Sequence, residues 1–290
     1  MPTMIPSPFK WVGGKRRLRK HIVALLPEHS CYVELFAGAA WVLFAKEPSD
    51  VEILNDINGD LVNFFRVVKE DPEALIESFE LELVAREKFE RLAAMSQDEI
   101  VSLVPVVRAH RFYYLIMAGW GGEYLYPRFQ TSVRDGGHGN RLIGATKRLR
   151  KRIEPVHRRL RTVIIEHLDW QACFDRYNRK GVVMYVDPPY PENKVNYADN
   201  MRSWEAHETL AIALRGSDCE WILSSFDTPE VRAMYKDFHI TPVEAFSGMN
   251  ASKGGSTRVK NREVLITSFE PPNAIPQSEE AQAQTLFGKR

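Results

Sequence analysis

Residues 31–40 read Cys-Tyr-Val-Glu-Leu-Phe-Ala-Gly-Ala-Ala, an apolar run that passes directly into a turn of small side chains. A run of that length suits a short buried strand, and small residues at its end let the backbone turn tightly and admit a ligand close by. A second apolar run, Val51 to Leu54, follows after one short helical stretch. Two strands joined in this way open a doubly wound parallel sheet.

Beyond Leu61 the character changes to charged, helical sequence as far as Arg161, interrupted by an aromatic, glycine-rich stretch from Gly119 to Asn140. Strand-like sequence resumes at Val163 to Ile165, Val182 to Val186, Trp221 to Leu223 and Val264 to Thr267, with an amphipathic helix over Glu205 to Leu214. The expectation is therefore an α/β fold whose sheet is assembled from residues 1–62 and 160–270. Residues 63–159 are read as a mainly helical insertion with a fold of its own. Residues 271–290 have little periodicity and read as a disordered tail, and Met1 to Pro6 as mobile.

Overall charge selects no partner, because 39 basic residues face 38 acidic ones. The local distribution is more informative. Between Arg141 and Arg161 stand nine basic residues and one acid, Glu154, while Leu142, Ala145, Leu149, Ile153, Val156 and Leu160 recur at helical spacing. This predicts a helix with a packed apolar face and a wet cationic one, kinked or split by Pro155. Three separated cysteines form neither a disulfide framework nor a zinc site, and eight histidines show no metal-ligand spacing. No segment is long and apolar enough to span a membrane, and the N-terminus lacks a signal pattern, so a cytoplasmic protein is expected.

The sharpest chemical feature is Asp187-Pro188-Pro189-Tyr190, set immediately after the apolar run ending at Val186. Ligands bind beyond the carboxyl ends of strands in such sheets, and two prolines fix the direction of the backbone carbonyls. A carboxylate and a carbonyl that accept the two hydrogens of an exocyclic amino group, beside an aromatic ring, would hold adenine and free its nitrogen lone pair. Asp187, the Pro188 carbonyl and Tyr190 supply those parts. Asp56 lies eighteen residues past Gly38, close to the spacing at which an acid reaches ribose hydroxyls in dinucleotide folds. Ala40 and Trp41 prevent a full GxGxxG pattern, and Gly13-Gly14-Lys15-Arg16 lacks the first glycine and the hydroxyl residue of a phosphate loop.

Asp187 to Tyr190 matches motif IV of the amino-methyltransferases, and the chain resembles the Dam-like family of DNA adenine methylases. The resemblance extends in family order through Pro8 to Lys15, Glu34 to Ala40, Asn55 to Asn58, Ser225 to Glu230 and Asn261 to Ile266. It implies a Rossmann-like methyltransferase sheet with a target-recognition insertion, S-adenosylmethionine as cofactor and double-stranded DNA as partner. Transfer would be to the amino nitrogen of an adenine flipped from the duplex, with no metal. By the same resemblance, Trp11, Lys15, Glu34, Phe36, Gly38, Asp56, Asp169 and Asp187 would bind the cofactor, with Asp187, Pro188, Pro189 and Tyr190 catalytic. The family has glycine where Ala40 stands.

Within the insertion, Arg111, Trp120 and Arg128 are read as DNA-contacting, and Lys147, Arg148 and Lys151 as phosphate-contacting. Dam-like relatives carry an Asn-Gly turn followed by arginine, whereas this chain has Gly119-Trp120-Gly121-Gly122-Glu123, which puts the common GATC target in question. A restriction-modification setting and a monomer or weak dimer are expected. Methylation of RNA adenine or of DNA cytosine, and a catalytically inactive nucleic-acid-binding relative, are the alternatives the motifs leave open.

Overall fold

A computed structural model describes residues 4–130, 140–191, 201, 203–246 and 260–272. The strands are β1 (Cys31–Glu34), β2 (Val51–Asn55), β3 (Val163–Glu166), β4 (Val182–Val186), β5 (Glu220–Phe226), β6 (His239–Phe246) and β7 (Lys260–Thr267). They form a seven-stranded sheet in the order β3-β2-β1-β4-β5-β7-β6. β1 to β5 are parallel, and β7 runs antiparallel to both β5 and β6. The doubly wound α/β reading therefore holds. β6 has no counterpart among the expected strands, because Pro242 interrupts its sequence; at the edge of a sheet a missing N–H donor is tolerated.

Successive side chains point to opposite faces of a strand, which gives the sheet two apolar coats. Val33, Ile53, Met184, Val186, Trp221 and Ile266 pack against α9 (Trp170–Tyr177), α10 (Trp204–Arg215) and α11 (Pro229–Met234). On the opposite face Tyr32, Leu54, Tyr185 and Ile222 meet α1 (Arg19–Leu25) and the helices of residues 59–160. Those helices are α2 (Gly59–Glu70), α3 (Pro72–Glu77), α4 (Arg86–Ala93), α5 (Gln97–Ser102), α6 (Pro105–Ala118), α7 (Arg141–Thr146) and α8 (Leu149–Leu160). One continuous apolar cluster joins all of them but α5 to the sheet, with Phe112 of α6 set edge-on to Phe9 at 5.3 Å and tilted against Phe64 at 5.5 Å.

The basic stretch differs from expectation in two respects. α8 runs unbroken through Pro155, and the division falls earlier, at Lys147 and Arg148 between α7 and α8. A proline removes one helical hydrogen bond, and here buried Ile153, Val156 and Leu160 hold both halves of α8 in place. Nor is the cationic face uniformly wet. Arg159 is buried, its guanidinium gripping both oxygens of Glu52 on β2, where Lys46 Nζ also binds at 2.7 Å. Burial alone would raise the Glu52 carboxyl, but these two cations hold it below its usual range. Arg150 pairs with Glu73 at the surface.

Candidate active site

The order of strands reverses between β1 and β4, which opens a crevice at their carboxyl ends. Asn55, at the end of β2, fixes the rim: its amide donates to the carbonyls of Leu35 and Leu168 and accepts from the Leu168 N–H. The turn after β1 is held by Asp56, which accepts from the Gly38 N–H at 2.8 Å and the Asn58 N–H at 2.9 Å. Gly38 has φ of +47°, and a Cβ there would stand 3.0 Å from the Trp11 indole, so the turn and Trp11 are in close contact. Ala40 is also left-handed, with φ of 52°, a conformation that costs an L-residue about 1–2 kcal/mol and explains a glycine preference at that position. The short helix expected here is a series of turns, with Phe44 N–H bonded to the Ala40 carbonyl.

Glu34 closes β1 and is 1% exposed. Its Oε1 accepts from the Leu43 N–H at 2.5 Å and the Tyr32 hydroxyl at 3.0 Å. Burial dominates over these donors and pushes the carboxyl up to about 8.

Asp187 follows β4. Lys15 Nζ lies 2.7 Å from its Oδ1, Ser224 of β5 donates to the same oxygen at 2.8 Å, and the Tyr190 hydroxyl at 3.3 Å. Among the described residues Oδ2 has no protein partner, so one oxygen is anchored and the other is left to accept from a ligand. Burial opposes the charge of Lys15, but Asp187 together with Tyr185 and Glu263 outweighs it and raises the ammonium pKa. Lys15 also lies 4.8 Å from the centre of the Tyr190 ring, which packs edge-on against Phe226 at 4.5 Å. His207 on α10 steadies the loop from behind. Its Nε2 is 2.9 Å from both the Pro189 and Met201 carbonyls, and since carbonyls only accept, that nitrogen carries the proton.

Part of this arrangement lines a cavity of about 1020 Å³, measured out to its open mouth. It brings together Trp11, Lys15, Glu34, Phe36, Gly38, Asp56, Asp187, Pro188, Pro189 and Tyr190. A further wall comes from residues 122–125. Tyr124 stacks on Trp11 and donates to buried Asp60 of α2, which Arg108 also binds at 2.5 Å. Gly122 allows this wall to approach: its φ is +80°, and a Cβ would lie 2.6 Å from the Lys10 carbonyl oxygen.

Other expected residues are placed elsewhere. Asp169 is exposed, does not line the cavity, and caps α9 by accepting from Gln171 and Ala172 N–H groups. Arg111, read as a surface residue, is 5% exposed and engaged with the Leu92 carbonyl and the Tyr124 hydroxyl, because its helix is packed on both sides. Trp120 and Arg128 are exposed on a loop that returns on itself through Trp120 N–H to the Arg128 carbonyl. Lys147, Arg148 and Lys151 are exposed as well.

Sequence reasoning missed Ser224 and His207, and gave Asn55 no role of its own within the recognised Asn55 to Asn58 segment. Ser224 adjoins the recognised Ser225 to Glu230 segment, but a lone histidine inside an amphipathic helix carries no signal of its own. Among the described residues no group of side chains could hold a metal ion, and no helix is long and apolar enough to cross a membrane.

Residues 11–249 match the family model of the D12 class N6 adenine-specific DNA methyltransferase. The chain is 30% identical to the type II methyltransferase M1.LlaDCHI of Lactococcus lactis subsp. cremoris, over 90% of this chain and 94% of that protein. It is 27% identical to the retron Ec67 DNA adenine methylase of Escherichia coli, over 93% and 96%. To the DNA adenine methylase of Haemophilus influenzae it is 26% identical, over 91% and 94%.

Proposed function

Because the chain belongs to the D12 class of N6 adenine-specific DNA methyltransferases, we propose that its cavity holds S-adenosylmethionine beside a flipped adenine, with Asp187 as the catalytic carboxylate. The reaction is site-specific methylation of adenine in DNA. The observation that carries the assignment of Asp187 is its divided carboxylate. Lys15, Ser224 and Tyr190 all engage Oδ1, which leaves Oδ2 to accept one hydrogen of the amino group. The Pro188 carbonyl accepts the other, and the Tyr190 ring, braced by Phe226, stacks on the base.

The lining suits the cofactor. A buried carboxyl such as Glu34 gains most by ionising when a cation arrives, and Trp11 and Phe36 supply apolar walls. Asp56 stands at the turn where a ribose is reached. When bound, S-adenosylmethionine supplies a methyl group already activated on a sulfonium, so the residues of the chain contribute chiefly position and exclusion of water. Residues 63–159 are assigned to target recognition, with Trp120 and Arg128 reading bases and Lys147, Arg148 and Lys151 contacting phosphates. The similarity to a type II methyltransferase supports a restriction-modification setting.

Asp187→Asn tests the reading. It should lower methyl transfer at least about 10²-fold, the scale of one preorganised contact, while calorimetric affinity for S-adenosylmethionine is kept. Near-normal turnover, or a product other than N6-methyladenine in digested DNA, would refute it.

A further inference from the structure

Beside the cavity, and sharing only Trp41 with it, lies an open depression of about 1500 Å³. Its charged side chains are Lys10, Arg16, Arg19, Arg141, Arg148 and Arg152, and no Asp or Glu lines it. Among the described residues none of the six pairs with a carboxylate. Neutral groups orient them instead. Arg141 binds the Gly119 carbonyl and Gln130, Arg148 Nε donates to the Gly144 carbonyl at 3.1 Å, and Arg152 reaches the Pro8 carbonyl at 3.5 Å. Arg19 lies over the face of Trp41. The cations are thus aimed but not neutralised, and burial together with Arg141, Arg16 and Arg152 lowers the Lys10 pKa. An anion from outside would relieve this crowding of like charge.

The position of the depression narrows what that anion is. Residues 10–16 form the partition: Trp11 to Lys15 line the catalytic cavity, whereas Lys10 and Arg16 line the depression. A group bound here sits across that partition from Lys15 and Asp187. A single small anion would satisfy two or three cations, while six distributed from the N-terminal segment to α8 suit a row of charges at regular spacing. We infer that this groove is a track for the phosphodiester backbone of duplex DNA, seating the strand that flanks the flipped adenine. The inference rests on the proposed reading of the cavity and adds where the duplex lies. Asn140, the neutral amide in the groove, is committed to the Ala118 and Gln130 carbonyls and so has no free N–H to offer a base.

The test uses the full-length protein, a labelled duplex of scrambled sequence and a single-stranded RNA of the same length. Arg16 and Arg148 are exposed and carry no buried partner, so Arg16→Ala/Arg148→Ala should fold, as thermal melting and unchanged affinity for S-adenosylmethionine will report. The slope of log affinity against log salt for the duplex should become shallower by about one to two units, near 0.9 for each phosphate that is no longer neutralised. Arg158→Ala/Arg161→Ala, on exposed residues at the far end of α8, should keep the parental slope. An unchanged slope in the groove variant, an equal loss in the distal variant, or a loss confined to RNA would each overturn the track. Wild-type protein that binds DNA with a groove-dependent slope yet forms no N6-methyladenine would refute the reading of the cavity and leave the track standing.

Discussion

Glu34 should make cofactor binding depend on pH in a way that no other group in the cavity reproduces. In the free protein burial pushes its carboxyl up to about 8, so at pH 6 it is almost wholly protonated. A cation bound beside it requires the carboxylate. Between pH 6 and pH 8 the affinity for S-adenosylmethionine should therefore rise by up to tenfold per unit, about 2.7 kcal/mol in all, and level off above pH 8. Near pH 7 almost one proton should be released for each cofactor bound, measurable by calorimetry in buffers of different ionisation enthalpy. Stability of the free protein should move the opposite way. The folded pKa lies above the unfolded value of 4.5, so the contribution of Glu34 is complete below that value and is lost as pH rises through about 8. Glu34→Gln, of nearly the same shape, should flatten both profiles. Affinity that does not change between pH 6 and pH 8, or a variant that keeps the wild-type slope, would refute the reasoning.

His207→Ala should leave the Pro189 and Met201 carbonyls without their donor, at about 1–3 kcal/mol for buried polar groups, and so loosen the catalytic loop. Single-turnover methylation should slow at least about tenfold while calorimetric cofactor affinity is unchanged, since the histidine touches no part of the cavity assigned to the cofactor. Asp56→Ala should weaken cofactor affinity by about 1.5–3 kcal/mol, partly by releasing the Gly38 N–H, and titration calorimetry will measure it. Arg159→Met should leave Glu52 buried with one cation in place of two and destabilise the fold by about 3–5 kcal/mol in urea unfolding, with cofactor affinity intact in the folded fraction.

What could be read from the sequence follows from the range of each interaction. Val182 to Val186 and Asp187 to Tyr190 are contiguous, so strand, turn and chemistry are visible together. The cavity residues from Trp11 to Tyr190 are gathered by motif order, which encodes the sheet. By contrast, Arg111 and Arg159 resemble any other arginine on a helix, and their burial is decided by partners outside that helix, Tyr124 on the following loop and Glu52 far back in the chain. Asp169 resembles a cofactor contact because it follows a strand, yet the same position is also where a helix needs its cap. The expected tail falls largely outside the described residues, as does the start of the N-terminus.

The sheet also dictates when during synthesis the molecule can first exist. β1 lies inside the sheet, and its two neighbours are β2, which follows at once, and β4, which is not made until residues 182–186. β2 must likewise wait for β3 at residues 163–166, with all of α2 to α8 emerging in between. Pairings this remote in sequence close slowly, and until they close, the outer edges of β1 and β2 have no strand to pair with. A ribosome that stalls before residue 163 therefore releases one strand pair with both outer edges open rather than a smaller working enzyme, and chaperone dependence during translation should be greatest in that interval.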